Sequence, residues 1–376
     1  MRFETKAIHA GLSIENPSKA IIPPISPSTI YEIDPSGRAD EDLHYSRLGN
    51  PNRLQFEKLI ATLEEGEAAA AFSSGIAAAV AVLQALNPGD HIIVPEDIYS
   101  GNRKMMKEIM IRWGLKADFI NMTKIETIEE HIKPETKLIW IETPSNPLLR
   151  ITDIKGVTEL AETHSLAHKI RTIVDNTWPT PVNQLPIKSG ADLVLHSTSK
   201  YFGGHSDILG GALITAKTDA FFERIRLIQQ MAGGVPSPQD CWMLSRSTRT
   251  LAYRMKGHNK HAATIAGFLQ SHKNVREVYY PGLESHPGHK IAKKQMTGFG
   301  GMISFLIQGI PDDAIKIVGK SKLIKRATSL GGVESTWEHR RSSEDAGSIT
   351  PDNLIRLSIG LEHVDDILDD LEHALG

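Results

Sequence analysis

The sequence is short of several things, and each shortage removes a class of function. One cysteine, Cys241, stands in 376 residues, so no internal disulfide can form and there is neither a zinc knuckle nor a CxxC redox pair. A reducing, cytoplasmic location is the expectation. Neither charge is in excess: 42 basic and 45 acidic side chains give a formal charge of -3. That offers no positive field for a phosphate backbone and argues against a nucleic-acid partner. No long, strongly hydrophobic run is present. The nearest, Ala68 to Leu86, is mainly alanine and is broken by Ser73-Ser74-Gly75, which predicts a buried strand end, a turn and a packed helix rather than a membrane span. The amino terminus mixes acidic and basic groups where a signal peptide needs an apolar stretch, so secretion is not expected. No GxGxxG opens the first strand-to-helix turn, which disfavours a nucleotide-binding dehydrogenase.

What is there is an ordinary globular composition, 40% hydrophobic and 23% charged, long enough for two to three domains at roughly 150 residues each. Residues 1–45 are rich in proline (Pro17, Pro23, Pro24, Pro27, Pro35) and show no helical period. They read as an extended arm that must lie on the rest of the chain or on another subunit. From about 50 to 235, helix-like segments alternate with the runs Ile92-Ile93-Val94, Leu138 to Ile141, Ile173-Val174 and Leu193 to Leu195. Such alternation predicts an α/β fold with a largely parallel sheet. The segment after Pro238 reads as one long helix to about Ser271, interrupted only by Gly257 and Gly267. Strand candidates follow at 275–280, 301–307 and 354–359, and Val364 to Leu375 has the pattern of an amphipathic helix.

Each strand run of the first part ends in polar residues: Pro95-Glu96-Asp97, Glu142 to Asn146, Asp175-Asn-Thr177 and His196-Ser-Thr-Ser-Lys200. Ligands of open α/β sheets sit beyond those carboxyl ends. Lys200, following small hydroxyl residues at a strand end, is placed to be desolvated, which lowers an amine's pKa and makes it nucleophilic toward an aldehyde. Asp175, at the end of the neighbouring run, suits a pyridine nitrogen that must keep its proton, the need of pyridoxal 5'-phosphate (PLP). Ser73-Ser74-Gly75-Ile76 would open a helix with free amides for a phosphate, and Ser197 and Ser199 could add hydroxyl donors. Tyr99 offers an aromatic plate for a planar ring. Taken singly, each also fits a plain structural role: a surface lysine, a capping aspartate, a packed tyrosine. The 16 histidines, including His258-Asn-Lys-His261 and His286-Pro-Gly-His289, lack a ligand set at known spacing, so no metal is expected. Lys322 to Arg326 reads as a solvated helix face.

Eight segments, in order, carry a resemblance: Tyr45-Ser-Arg-Leu-Gly-Asn-Pro51, Ser73-Ser-Gly75, Asp97-Ile-Tyr99, Glu142-Thr-Pro-Ser-Asn-Pro147, Asp175-Asn-Thr177, His196 to Tyr201, Ser329-Leu-Gly-Gly-Val-Glu-Ser335 and Arg356-Leu-Ser-Ile-Gly360. Over nearly its whole length the chain resembles the Cys/Met-metabolism family of PLP enzymes, the group of cystathionine γ-synthase, cystathionine γ-lyase, cystathionine β-lyase and methionine γ-lyase. The resemblance implies the PLP-dependent transferase fold of type I, aspartate-aminotransferase-like. A mostly parallel large-domain sheet (46–238) would carry the cofactor, and a smaller C-terminal α/β domain (239–376) the substrate-carboxylate site. It implies that Lys200 binds PLP covalently, Asp175 pairs with the ring nitrogen and Tyr99 stacks on the ring. Gly75, Ile76, Thr177, Ser197 and Ser199 would complete the cofactor site. Tyr45 and Arg47 would reach the phosphate of a neighbouring subunit, giving a homodimer with shared sites and, in this family, usually a homotetramer. Arg356 would clamp the substrate carboxylate, with Asn146 and Ser329 orienting the same end.

The implied activity is trans-sulfuration of sulfur amino acids or activated homoserine by γ-replacement or γ-elimination. Methionine γ-lyase and cystathionine β-lyase are the alternatives, and a non-catalytic assembly protein that keeps the fold is the alternative of a different class. Three departures bear on specificity: Thr328 where many members carry a glutamate, Gly101 where methionine γ-lyases carry a cysteine, and Trp337-Glu-His-Arg-Arg341, which differs from the expected proline- and histidine-containing stretch.

Overall fold

The computed structural model describes residues 1–12, 20–37, 43–165, 168–345 and 347–376; Pro17 of the arm lies outside them. A seven-stranded sheet is formed by β1 (Ala68–Phe72), β2 (His91–Pro95), β3 (Lys116–Ile120), β4 (Thr136–Glu142), β5 (Arg171–Asp175), β6 (Leu193–His196) and β7 (Gly211–Thr215), in the order β1-β7-β6-β5-β4-β2-β3. Neighbours from β3 to β6 are parallel, while β7 runs antiparallel to both β6 and β1. The apolar runs are continuous because both faces are covered. Leu138 and Trp140 of β4 enter one core, Ile139 and Ile141 the opposite one.

The alanine-rich segment divides as its composition dictates: β1, then a helix Gly75–Gln84 capped by the Ser74 hydroxyl, which accepts from the Ala77 amide at 3.1 Å. A second, five-stranded sheet contains β8 (Val275–Tyr279), β9 (Met302–Ile307), β10 (Lys325–Arg326), β11 (Thr336–His339) and β12 (Leu354–Ser358), in the order β10-β11-β12-β9-β8. The closing helix Val364–Leu375 buries Ile367, Leu371 and Ala374, spaced at helical intervals. No helix among the described residues is long and apolar enough to cross a membrane.

Three expectations are corrected. The long segment after Pro238 is two helices, Pro238–Thr248 and Leu251–Ser271. The break lies at Arg249-Thr250, where the Ser247 carbonyl accepts from both the amide and the hydroxyl of Thr250. Gly257 is inside the second helix, where a Cβ would stand 2.6 Å from Leu361; it permits close packing and breaks nothing. The arm contains a short helix, Phe3–His9, that buries Ala7. From residue 20 to 34 the chain forms no helix and is tied down by the Trp242 indole donating to the Pro23 carbonyl and by Asn52 donating to that of Pro24. Finally, Lys325 and Arg326 form an exposed edge strand, not a helix face.

Candidate active site

Asp175 and Glu142 end adjacent parallel strands and stand in register. Asp175 accepts from the Thr177 amide at 3.1 Å, and the Thr177 hydroxyl accepts from the Ser197 amide at 2.9 Å, which ties the end of β5 to the loop after β6. Glu142 accepts from the Tyr99 amide at 3.0 Å and so fixes the start of the helix that follows. Burial raises the pKa of Asp175, against the bonds from Thr177; burial, then the Asp175 charge, raises that of Glu142 well above the usual carboxylate range.

Lys200 lies four residues beyond β6, and its Nζ donates to Ser329 Oγ at 2.7 Å. Desolvation, followed by the charges of Arg356 and Arg340, brings its pKa down to about 8, while Asp175 and Glu338 act in the opposite sense. The amine is therefore far easier to deprotonate than an ordinary lysine. Ser329 holds a left-handed conformation (φ 80°) that a non-glycine residue adopts at a cost met by its surroundings. Its carbonyl accepts from Arg356 Nη2 at 3.3 Å, so this one residue joins the lysine to the arginine. Arg356, 4% exposed, also donates to Asn146 Oδ1 at 2.9 Å and to Glu338 Oε1 at 2.6 Å. Burial and the nearby Arg340 lower its pKa to about 10, which leaves it charged at neutral pH.

At the other edge, Gly75 comes so close to the loop after β6 that a Cβ would lie 2.9 Å from that of Ser197. The amides of Gly75 and Ile76 begin the helix and have no intrahelical acceptor, and the Ser197 side chain lies beside Gly75. Ser199 is differently employed: its hydroxyl both accepts from the Gly210 amide (2.9 Å) and donates to the Gly210 carbonyl (3.2 Å). Tyr99 is 42% exposed, and a Cβ on Gly101 would stand 2.5 Å from its ring, so the glycine leaves room for this ring position.

The structure thus brings together Lys200, Ser329, Arg356 and Asn146, joins Asp175, Thr177 and Ser197, and links Asp175 to Tyr99 through Glu142. Tyr45 and Arg47 stand apart. Arg47 donates to the Gln230 carbonyl at 2.7 Å with its guanidinium 5.6 Å from the Tyr45 ring centroid, and no described hydrogen bond or ion pair links either residue to Lys200 or Asp175.

Four residues of the site escaped the sequence reading. Glu142 was visible only as part of a motif, and Glu338, Arg340 and Glu344 form an ion-pair chain with Arg356. Arg340 donates to Glu338 Oε1 at 2.9 Å and to Glu344 Oε1 at 2.7 Å. Glu338 and Arg340 were visible only within the departing stretch Trp337 to Arg341, and the i, i+4 spacing of Arg340 and Glu344 was a further signal. The histidine pairs serve the backbone: His258 meets the Ile359 carbonyl, and His289 that of Pro281. No cluster of three metal-type ligands occurs among the described residues.

The residues fit a phosphorylated pyridine aldehyde. A half-buried acid stands at one strand end, an easily deprotonated lysine follows the next strand, and the helix-opening Gly75 lies beside Ser197 with the free amides of Gly75 and Ile76. Comparison with known proteins agrees. The chain is 42% identical over 378 residues to the cystathionine gamma-synthase of Mycobacterium bovis, covering 99% of this chain and 96% of that one. It is 43% identical over 384 residues to the cystathionine beta-lyase of Lactococcus lactis subsp. cremoris, covering 99% and 98%. The crystal structure of cystathionine gamma-lyase from Lactobacillus plantarum complexed with L-serine superposes with a TM-score of 0.93 at 41% identity, over 100% of this chain and 98% of that one. Residues 4–376 match the family of Cys/Met metabolism PLP-dependent enzymes, and the chain belongs to it.

Proposed function

We propose that this protein is a trans-sulfuration enzyme that binds PLP on Lys200 and acts on sulfur amino acids or activated homoserine by γ-replacement or γ-elimination. The observation that carries the reading is the Lys200 amine, its pKa near 8, held by Ser329 between the Asp175 strand end and the Arg356 guanidinium. Residues 46–238 form the cofactor-binding domain in this reading, and 239–376 supply the substrate-carboxylate side.

When bound, PLP supplies an electron sink for the negative charge left at a substrate's α-carbon. Lys200 would take the α-proton and, after passing that proton on, would take a β-proton for γ-chemistry; a pKa of about 8 suits both receiving and giving. Ser329 keeps the amine at a fixed distance. Asp175 would hold the ring nitrogen's proton, and its raised pKa records how strongly this desolvated carboxylate favours a cationic partner. Arg356 and Asn146 orient the substrate carboxylate, and Tyr99 would cover the ring and serve the leaving sulfur. The Gly75 and Ile76 amides with Ser197 and Thr177 would receive the phosphate; Ser199 would have to turn from Gly210 to join them.

Tyr45 and Arg47 would complete the phosphate site of a second copy of the chain. The outward Ile21, Ile22, Ile25, Ile30 and Ile33 of the arm give that copy an apolar surface to cover. We place the enzyme in the cytoplasm as a dimer of such shared-site dimers.

The purified protein is expected to be yellow, to bleach with borohydride, and to release 2-oxobutyrate or form cystathionine when offered cystathionine, homocysteine or an O-acyl homoserine with cysteine. Lys200→Ala should lose colour bleaching and turnover together. Pyruvate as the sole product from cystathionine would replace γ- by β-elimination, and a colourless, inactive wild type would end the reading.

A further inference from the structure

A second guanidinium stands beside the one assigned to the substrate carboxylate. Arg340 is 3% exposed and follows β11 in a short helical turn. Its Nε donates to Glu344 at 2.7 Å, and Nη1 donates to the same Glu338 oxygen that receives Arg356. Its Nη2 reaches Ser100 Oγ at only 3.4 Å, next to Tyr99. A guanidinium has five N–H donors, so among the described residues one donor on each terminal nitrogen is left without an acceptor although the group is buried. Buried donors of this kind are nearly always satisfied, and a pair on the two terminal nitrogens suits a carboxylate.

The group is also held still. The other oxygen of Glu344 accepts from Thr350 at 2.7 Å and from Ser348, and the other oxygen of Glu338 accepts from Ser343 at 3.0 Å. Two carboxylates therefore anchor Arg340 at Nε and Nη1, and Nη2 faces Ser100, the residue after Tyr99. Its charge bears on Lys200 and Arg356, lowering the pKa of both, which places it at the same site. Thr328, preceding Ser329, brings no acid that would welcome an ammonium group.

We propose that Arg340 is a second anion-binding point of the substrate site and receives a carboxylate at the far end of the substrate side chain. The enzyme then favours amino acids whose side chain ends in a carboxylate, such as homoserine esterified with a dicarboxylic acid, over those that end in a neutral group. Resting on the trans-sulfuration reading above, this adds the substrate class and the residue that selects it.

The test is a spectral titration of the yellow holoenzyme with two unreactive probes, L-2-aminoadipate and L-norleucine, alike at the α-carbon and different at the far end. The wild type should bind aminoadipate about tenfold or more tightly than norleucine, the difference expected of one charge-assisted carboxylate contact. Arg340→Met should abolish that preference, weakening aminoadipate far more than norleucine, while Arg340→Lys keeps part of it. The ratio of kcat/KM for O-succinyl- over O-acetyl-homoserine should fall in parallel. Equal binding of the two probes to the wild type overturns the proposal without any variant having to fold. So does an Arg340→Met enzyme that loses both probes equally, because Arg340 would then only support Arg356. A holoenzyme whose spectrum neither probe disturbs removes the trans-sulfuration reading itself.

Discussion

The two sides of the site are built on opposite electrostatic plans. On the small-sheet side, Arg356, Glu338, Arg340 and Glu344 alternate in sign, and each charge meets at least one opposite partner within 2.9 Å. At the end of the large sheet, two carboxylates stand side by side in register, Glu142 buried and Asp175 half-buried, with the Tyr99 amide and Thr177 as their donors and no cation within ion-pair distance among the described residues. Pairing costs least when both members stay; crowding of like charges costs folding energy until something positive arrives. The first side is a wall whose shape is set before any ligand comes. The second is a receptor kept under tension, as expected where a cationic ring nitrogen is to be bound.

Removing one member from each side separates the two plans. Arg356→Leu leaves the Asn146 and Ser329 carbonyl oxygens without their donor and breaks the buried chain, so stability should fall by about 3–5 kcal/mol with kcat/KM nearly abolished. Denaturant titration of the loaded protein reads the first effect, and a loss below 1 kcal/mol would mean the wall is not held by pairing.

Asp175→Asn should do the reverse to the fold. It relieves the crowding with Glu142, so the cofactor-free protein keeps or gains stability, while turnover drops about 10²–10³-fold because the charge facing the ring nitrogen is gone. A variant with lowered stability and intact turnover would show that Asp175 is a structural cap.

The same contrast explains what could be read from sequence. Lys200, Asp175 and Gly75 were legible because each stands at, or within four residues of, the end of an apolar strand run, where the chain turns whatever the strand order. The helix Val364–Leu375 was legible from its period. The crowding of Glu142 on Asp175 was not, since it depends on β4 lying next to β5, a fact of sheet order. Strand β7 was missed because Gly211-Ala212 lacks strand character, and β3 because an alternating edge strand beginning with Lys116 resembles loop. Arg340 and Glu344 sit in and beside a four-residue turn with no hydrophobic period to flag it, and the rebuilt stretch was visible only as a departure from the expected one.

The smallest effect is also the sharpest measure of tension at the sheet end. Glu142 has its folded pKa raised by burial and by Asp175, whereas in the unfolded chain it titrates near an ordinary value of about 4.3. Between those two values the folded state keeps a proton that the unfolded state has lost, so stability declines as pH rises and levels off only above the folded pKa. Glu142→Gln has no proton to lose, and its amide oxygen can still accept from Tyr99. In cofactor-free protein the variant should therefore match the wild type near pH 4 and become progressively more stable than it as pH rises toward neutrality. Urea midpoints of the two proteins across that pH range give the difference directly. Parallel curves would mean that Glu142 ionises in the folded protein as easily as in the unfolded one, and the supposed tension between the two strand ends would vanish.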